Sequence, residues 1–212
     1  MLDLIKTHEK NIDFQKKALT LLQSLTWSSE DFCTTLLPVI KKIMKSTKSE
    51  ELLHRCCEIV YDFARNDHET SVQLIKRRVS RIIFKILRNS NDDALQNIAA
   101  DCIYMLALEH DLKNLMLRKM CAVGDTDAVN LLLQLSADVN NTEADESPLS
   151  LACKTNNLDL VKLLLAHGVS DLHHPLTICL ENDDRRRLAG LILKCMGHDE
   201  AAGTISLTGW SK

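Results

Sequence analysis

Histidine and cysteine side chains near residue 175 are the first candidates for chemistry in this chain. His173 and His174 precede Cys179, and imidazole and thiolate groups are the usual ligands of Zn²⁺. Their spacing matches none of the standard zinc patterns, and the segment supplies no fourth ligand. A short turn before Pro175 explains the two histidines better, so we expect no metal site here.

Thiol chemistry is the second possibility, because the chain has eight cysteines. Cys56 and Cys57 are adjacent, but neighbouring side chains on a helix point about 100° apart, and none of the eight belongs to a C-x-x-C pair. Each cysteine is flanked by apolar residues. We therefore expect reduced, buried thiols that pack like alanine in a cytoplasmic protein, and neither a redox pair nor a disulfide framework.

Arginine and lysine cluster in two places, which are Lys76–Arg78 with Arg81, Lys85 and Arg88, and then Arg185–Arg187. Nucleic-acid binding requires a broader basic field than these clusters provide, and the formal net charge of the chain is −3. We therefore expect solvated helix faces and no nucleic-acid partner. An acidic protein or an anionic lipid is the alternative ligand, with any membrane contact indirect.

No motif of a catalytic or nucleotide-binding site accompanies these residues. The sequence contains no nucleophile elbow, no phosphate-binding G-x-x-x-x-G-K-[ST] loop and no kinase catalytic loop. We expect that the chain is not an enzyme and has no catalytic residues and no cofactor of its own. No apolar run approaches the roughly 20 residues that span a bilayer.

The first part of the chain is predicted to be nearly continuous helix, because residues 1–123 contain no glycine and only one proline, Pro38. Apolar residues recur at helical spacing, which predicts amphipathic helices over Glu50–Arg65, Val72–Leu87 and Ala94–Leu108. An earlier helix is predicted to turn one apolar face inwards, formed by Phe14, Ala18, Leu21, Leu22 and Leu25. Serine, asparagine and aspartate between the helices are the residue types that begin helices.

These helices repeat with a period of 43 residues. Leu52 matches Leu95 at this offset, and the segment 32–44 matches the segment 75–87. One period shared by two independent helices is typical of the armadillo/HEAT class. The sequence therefore predicts an armadillo-like α-solenoid over residues 1–114.

A second type of repeat begins near residue 115. Residues 147–153, Ser-Pro-Leu-Ser-Leu-Ala-Cys, resemble the ankyrin T-P-L-H-x-A helix start, and the next helix ends at Gly168, which can adopt a left-handed conformation. An earlier copy lies 32 residues back and continues into the finger Ala137–Asn140, although Ser136 stands where glycine is expected. A later copy is shorter. The copies predict about three degenerate ankyrin repeats over residues 115–197, and an all-α fold throughout.

An armadillo-like solenoid that runs into ankyrin repeats resembles the N-terminal region of the Roco-family leucine-rich repeat kinases. The resemblance is carried by the segments 132–144, 160–165 and 175–178, and by Ile205–Gly209. It implies a parent protein with leucine-rich repeats, a GTPase unit, a serine/threonine kinase and a WD40 propeller, which uses ATP, GTP and Mg²⁺. Residues 198–212 are accordingly interpreted as a connector toward a missing leucine-rich repeat domain.

The resemblance implies a non-catalytic, cytoplasmic scaffold or regulatory segment that binds other proteins or the catalytic half of its own parent protein. A free-standing armadillo/ankyrin adaptor is the alternative. An import receptor is disfavoured, because such proteins carry a Trp-x-x-x-Asn ladder and here Asp31 stands four residues after Trp27. Apolar residues such as Leu4 and Trp210 leave the two ends of the array without polar caps, so self-association is also expected.

The ankyrin convention places partner-binding residues on the fingers and on the inner helices. By that geometry, the residues of the central repeat expected to contact a protein partner are Asp138, Asn140, Glu143, Asp145, Ser150 and Lys154. The expectation follows from repeat geometry and not from a chemical motif.

Overall fold

Helices form the architecture of the chain, as the helical periodicity predicts. The computed structural model describes residues 8, 11–25, 27–142 and 146–198. Over that part the chain is all-helical, and it divides into two compact units at residue 112. The bounds 1–114 and 115–197 that the sequence assigns to the two repeat types stay predictions. The predicted connector, residues 198–212, lies outside the described residues apart from its first position.

Seven helices begin in the described part of the first unit. They are α1 (Ile12–Gln23), α2 (Ser29–Asp31 and Leu37–Ser46, with the π-helical segment Phe32–Leu36 between them), α3 (Glu50–Asn66), α4 (His68–Lys76), α5 (Val79–Asn89), α6 (Asp93–Leu106) and α7 (His110–Val123). Polar side chains cap five of them by accepting a hydrogen bond from the backbone N–H three residues later; the capping residues are Asn11, Ser28, Ser49, Asp67 and Asp92. These bonds satisfy N–H groups that have no partner within the helix.

The 43-residue period is confirmed at the level of helix ends. The caps of α3 and α6, Ser49 and Asp92, are 43 residues apart. The last residues of α2 and α5, Ser46 and Asn89, are separated by the same interval. The start of one helix and the end of another therefore recur at equivalent positions in neighbouring repeats, as a solenoid requires.

The prediction of one helix over Val72–Leu87 is wrong. The chain forms α4 and α5 instead, with a turn at Arg77 and Arg78 between them, and Arg78 adopts a left-handed conformation with φ +63°. The apolar face continues across the turn, since Ile75 and Val79 are both fully buried. Hydrophobic spacing alone therefore does not reveal the break. The equivalent point one repeat earlier falls in the π-helical segment of α2, so both repeats are distorted at the same place.

The buried face of α1 also differs from the prediction. The spacing predicts Leu21 and Leu25 on the inner face, but each is 54% exposed. The face that packs inwards is formed by Ala18, Leu19 and Leu22.

Seven of the eight cysteines are buried, which confirms their interpretation as packing residues. The Cys102 thiol donates a hydrogen bond to the Cys57 carbonyl at 3.2 Å. Burial raises the pKa of Cys121 to about 12, so this thiol stays protonated at neutral pH. The exception is Cys195, which is exposed.

The second unit pairs short helices in the ankyrin manner. After α7 come α8 (Thr126–Gln134), α9 (Pro148–Lys154), α10 (Leu158–Ala166), α11 (His173–Leu180), a 3₁₀ turn (Asp183–Arg185) and α12 (Arg186–Cys195). Helix α9 packs against α11, and α10 packs against both α8 and α12. The small side chain of Ala152 and the apolar side chains of Val161 and Leu164 are fully buried in this stack, as the ankyrin pattern predicts. Among the described residues, no helix combines the length and the apolar character needed to cross a bilayer.

Candidate functional site

The finger of the central repeat alternates between core and surface. Ala137 and Val139 are buried, whereas Asp138 and Asn140 are exposed. The backbone N–H of Asp138 donates to the Asn114 Oδ1 atom at 2.9 Å, and the Asp138 Oδ1 atom accepts from the backbone N–H of Asn140 at 2.9 Å. The turn therefore fixes its own shape and holds the Asp138 carboxylate at the surface.

Asn140 joins this finger to the next one. Its Oδ1 atom accepts from the backbone N–H of Ser170 at 2.8 Å and from the Ser170 hydroxyl at 3.0 Å. Its Nδ2 atom donates to the Gly168 carbonyl at 3.4 Å. Asn140 is exposed, but its amide already serves to align two successive fingers.

Ser150 is fully buried, so its predicted place on an open partner-binding surface is corrected. Its backbone N–H donates to the Ser147 Oγ atom at 3.1 Å, and its hydroxyl lies 3.2 Å from the Nδ1 atom of His174. Because these bonds connect the start of α9 with α11, Ser150 positions the inner helices of two repeats.

Lys154 lies at the exposed end of α9 and forms an ion pair with Glu146. The hydrogen bond from Lys154 lowers the pKa of the Glu146 carboxyl, and the charges of Lys119 and His174 lower it further. We call these four residues the Glu146 cluster. The cluster draws its side chains from α7, α9 and α11 and from the segment before α9, so it runs across successive inner helices.

The ankyrin pattern did not identify Glu146 or Lys119 as site residues. Glu146 lies between the finger and the start of α9, whereas the ankyrin pattern assigns partner contacts to the finger and to the inner helix. A search for opposite charges on either side of one inner helix would have found the pair, since Glu146 precedes α9 and Lys154 ends it. Glu143 and Asp145, which the pattern did identify, lie outside the described residues.

The two histidines and Cys179 do not come together at one point. Cys179 is fully buried, while His173 and His174 are exposed. The Asp171 carboxylate accepts hydrogen bonds from the backbone N–H groups of both histidines, at 3.1 and 3.4 Å, and so shapes the start of α11. Within the described ranges, no three His, Cys, Asp or Glu side chains are grouped as metal ligands would be.

A residue in the left-handed conformation follows the second helix of each ankyrin repeat, which is α8, α10 or α12. Ser136, Gly168 and Gly197 stand two residues after α8, α10 and α12, and each has a left-handed conformation, with φ of 62°, 79° and 82°. This is the glycine position that ends a helix in the ankyrin pattern. Ser136 takes the same conformation although it carries a Cβ atom.

A family model described as LRRK2 ANK repeat matches residues 83–210, which is more than half of the chain. The chain belongs to the LRRK2 ANK repeat family. The LRRK2 ANK repeat match begins within α5 and covers the whole described part of the second unit. Among curated proteins, none matches the chain.

Proposed function

We propose that this chain is a non-catalytic, protein-binding segment of a multidomain leucine-rich repeat kinase of the Roco family, acting in the cytoplasm as a scaffold or regulator. The observation that supports this function most directly is the LRRK2 ANK repeat match over residues 83–210, because stacked repeats provide extended surfaces for partner proteins. The GTPase and kinase activities, with their ATP, GTP and Mg²⁺, belong in this proposal to other parts of the parent protein, and the chain itself uses no cofactor.

The Glu146 cluster and Asp138 form the surface that we assign to the partner. Both signs of charge are present on it, and mixed charges steer association and exclude partners whose charges do not match. A partner carboxylate that approaches Lys154 competes with Glu146 for the same ammonium group. Glu146 is then released to pair with a cation of the partner, so that an exchange of ion pairs leaves no charge unpaired.

A binding titration tests the proposal. The full chain is immobilised, and the purified GTPase–kinase half of a leucine-rich repeat kinase is the analyte. We expect saturable binding that the double variant Lys119→Glu with Lys154→Glu weakens about tenfold, since two attractive charges become repulsive. The matched control is Lys194→Glu, an exposed charge reversal on α12, which should leave binding unchanged.

Three outcomes would contradict the proposal in different ways. Failure of the chain to bind the catalytic half, together with failure to recover any cellular protein in a pull-down, would exclude an interaction role. Recovery of other cellular proteins without binding to the catalytic half would favour the free-standing adaptor. Nucleotide hydrolysis above background by the purified chain would exclude a non-catalytic role.

A further inference from the structure

A groove separates α2 from α5, the equivalent helices of two neighbouring repeats in the first unit. It has a volume of about 580 Å³, and Met44, Ile82 and Ile86 are among the apolar residues that line it. Its rim carries four exposed cations, which are Lys45, Lys48, Arg81 and Lys85. The groove therefore combines an apolar floor with a basic rim.

The basic surface continues beyond this groove. A second hollow of about 410 Å³ is lined by Lys41, Lys42 and Arg77, and it shares Lys45 with the first. The Lys41 ammonium donates a hydrogen bond to the Arg77 carbonyl at 2.5 Å. Burial, and then the neighbouring charges of Lys45, Arg77 and Arg78, lower the pKa of Lys41. The neighbouring cations thus act on Lys41 in the same direction as its burial.

Acidic side chains are scarce in the lining of these two hollows. Within the described part of the chain, Glu50 is the one carboxylate that lines either hollow. Its Oε1 atom accepts a hydrogen bond from the Ser90 hydroxyl at 3.1 Å. The four exposed cations on the rim of the first groove outnumber this carboxylate, and such an excess attracts anionic groups and raises their local concentration.

The repeat places cations at equivalent positions on the two helices. Lys42 and Lys85 are 43 residues apart, and so are Lys45 and Arg88. Packed helices lie about 8–10 Å apart, and a chain in the extended polyproline II conformation advances about 3.1 Å per residue with three residues per turn. A polyproline II segment that crosses from Lys45 on α2 to Lys85 on α5 therefore meets the next cation after about three of its own residues, and every third side chain faces the same way.

We propose that this groove binds an extended, acidic protein segment with carboxylates at every third position and an apolar side chain between them. The carboxylates pair with the cations of α2 and α5, and the apolar side chain contacts Met44, Ile82 and Ile86. Single-stranded nucleic acid binds through aromatic stacking platforms, and among the described residues no aromatic side chain lines either hollow. A bilayer surface does not enter a groove between two helices. The site lies in the first unit and does not depend on the function assigned to the ankyrin surface.

Fluorescence anisotropy on the full chain tests the groove. The probe is a short labelled peptide with Glu at every third position and Leu between, and the comparison peptide has the same composition with its Glu residues clustered at one end. We expect saturable binding of the probe, binding of the comparison peptide that is weaker by about fivefold or more, and weakening of both as the salt concentration rises. Lys45→Glu with Lys85→Glu should weaken probe binding by at least about tenfold.

Control variants separate this site from other causes. Lys17→Glu with Lys194→Glu changes the net charge equally at exposed positions outside the groove and should leave probe binding unchanged. Lys154→Glu should also leave it unchanged, so that failure of the ankyrin surface and failure of the groove are distinguishable. Lys45→Gln with Lys85→Gln should weaken binding to a smaller extent than the double reversal.

Other results would overturn the proposal. Equal binding of the two peptides would refute the three-residue spacing. Equal loss in the groove variant and in the control variant would show a non-specific charge effect. Tighter binding to vesicles of phosphatidylserine, or to a single-stranded oligonucleotide, than to the probe would assign the surface to a membrane or to nucleic acid instead.

Discussion

Asn157 performs two tasks with one amide side chain, and its replacement by alanine removes both. Its Oδ1 atom accepts from the backbone N–H of Leu160 at 3.1 Å and so caps α10. Its Nδ2 atom donates to the Gly124 carbonyl at 3.0 Å and lies 3.2 Å from the Thr126 hydroxyl. The first bond stabilises its own helix, while the other two join the central ankyrin repeat to the preceding one.

The expected loss follows from these bonds. Removal of an N-cap costs about 1 kcal/mol, and each neutral hydrogen bond contributes about 1 kcal/mol net. Asn157 is half-buried, so water replaces part of what the two donor contacts provide. We therefore expect Asn157→Ala to lower the free energy of local opening by about 2 kcal/mol, which is roughly a 30-fold change in the opening equilibrium.

Native-state hydrogen exchange with mass spectrometry measures this opening locally. Asn157→Ala should reduce the protection of amides in both α8 and α10. Asn157→Asp keeps the capping oxygen and loses the donor, so it should reduce the protection of α8 while largely preserving that of α10. The matched control is Asn182→Ala, which removes the hydrogen bond that the Asp184 backbone N–H donates to the Asn182 Oδ1 atom in the 3₁₀ turn and should leave α8 unchanged. Equal protection of α8 in the wild type and in both Asn157 variants would refute the inter-repeat contribution.

Three further perturbations address other parts of the fold. Ser136→Gly should stabilise the second unit by about 0.5–1 kcal/mol, because glycine adopts the left-handed conformation without strain and this gain exceeds its entropic cost. Gly168→Ser should destabilise the unit by a similar amount. Urea unfolding followed by circular dichroism measures both changes. The hydrogen bond from the Thr70 side chain holds the pKa of Asp67 below its ordinary value. The Asp67 cap of α4 therefore stabilises the fold at neutral pH, and this stabilisation is lost as the pH falls through the lowered pKa. Asp67→Asn should remove this pH dependence from the hydrogen exchange of the α4 amides. Phe32→Ala should lower the free energy of unfolding of the first unit by about 3–5 kcal/mol, since Phe32 is fully buried and its ring stacks on that of Phe63 with centroids 3.7 Å apart. Phe32→Leu should lower it by less, and thermal unfolding measures both.

Periodic features of this fold could be predicted because the same sequence signals recur in every repeat. The 43-residue offset located α3 and α6, and the polar residues before them supplied the caps that the structure shows. Likewise, Pro148 and Gly168 marked the ends of the best-formed ankyrin repeat. Signals of this kind are local, and each copy of a repeat reinforces the others.

Features that depend on long-range partners could not be predicted in the same way. The turn at Arg77 and Arg78 leaves the apolar spacing intact, so no pattern of side chains marks it. The ankyrin repeat geometry predicts that Ser150 lies on the surface. In the folded stack, however, Ser147 and His174 approach it and form hydrogen bonds with its hydroxyl. A polar residue with partners from another helix can be buried at little cost, whereas the sequence shows only that it is polar.

The buried thiols can report local opening of this fold, helix by helix. A thiol within a packed helix reacts with an alkylating reagent only when that helix opens, and Cys33, Cys102, Cys153 and Cys179 are distributed along the array in four different helices. The exposed Cys195 supplies the reference rate in the same molecule. The order in which alkylation masses accumulate on successive peptides would show at which end the array frays first and how far each fluctuation spreads.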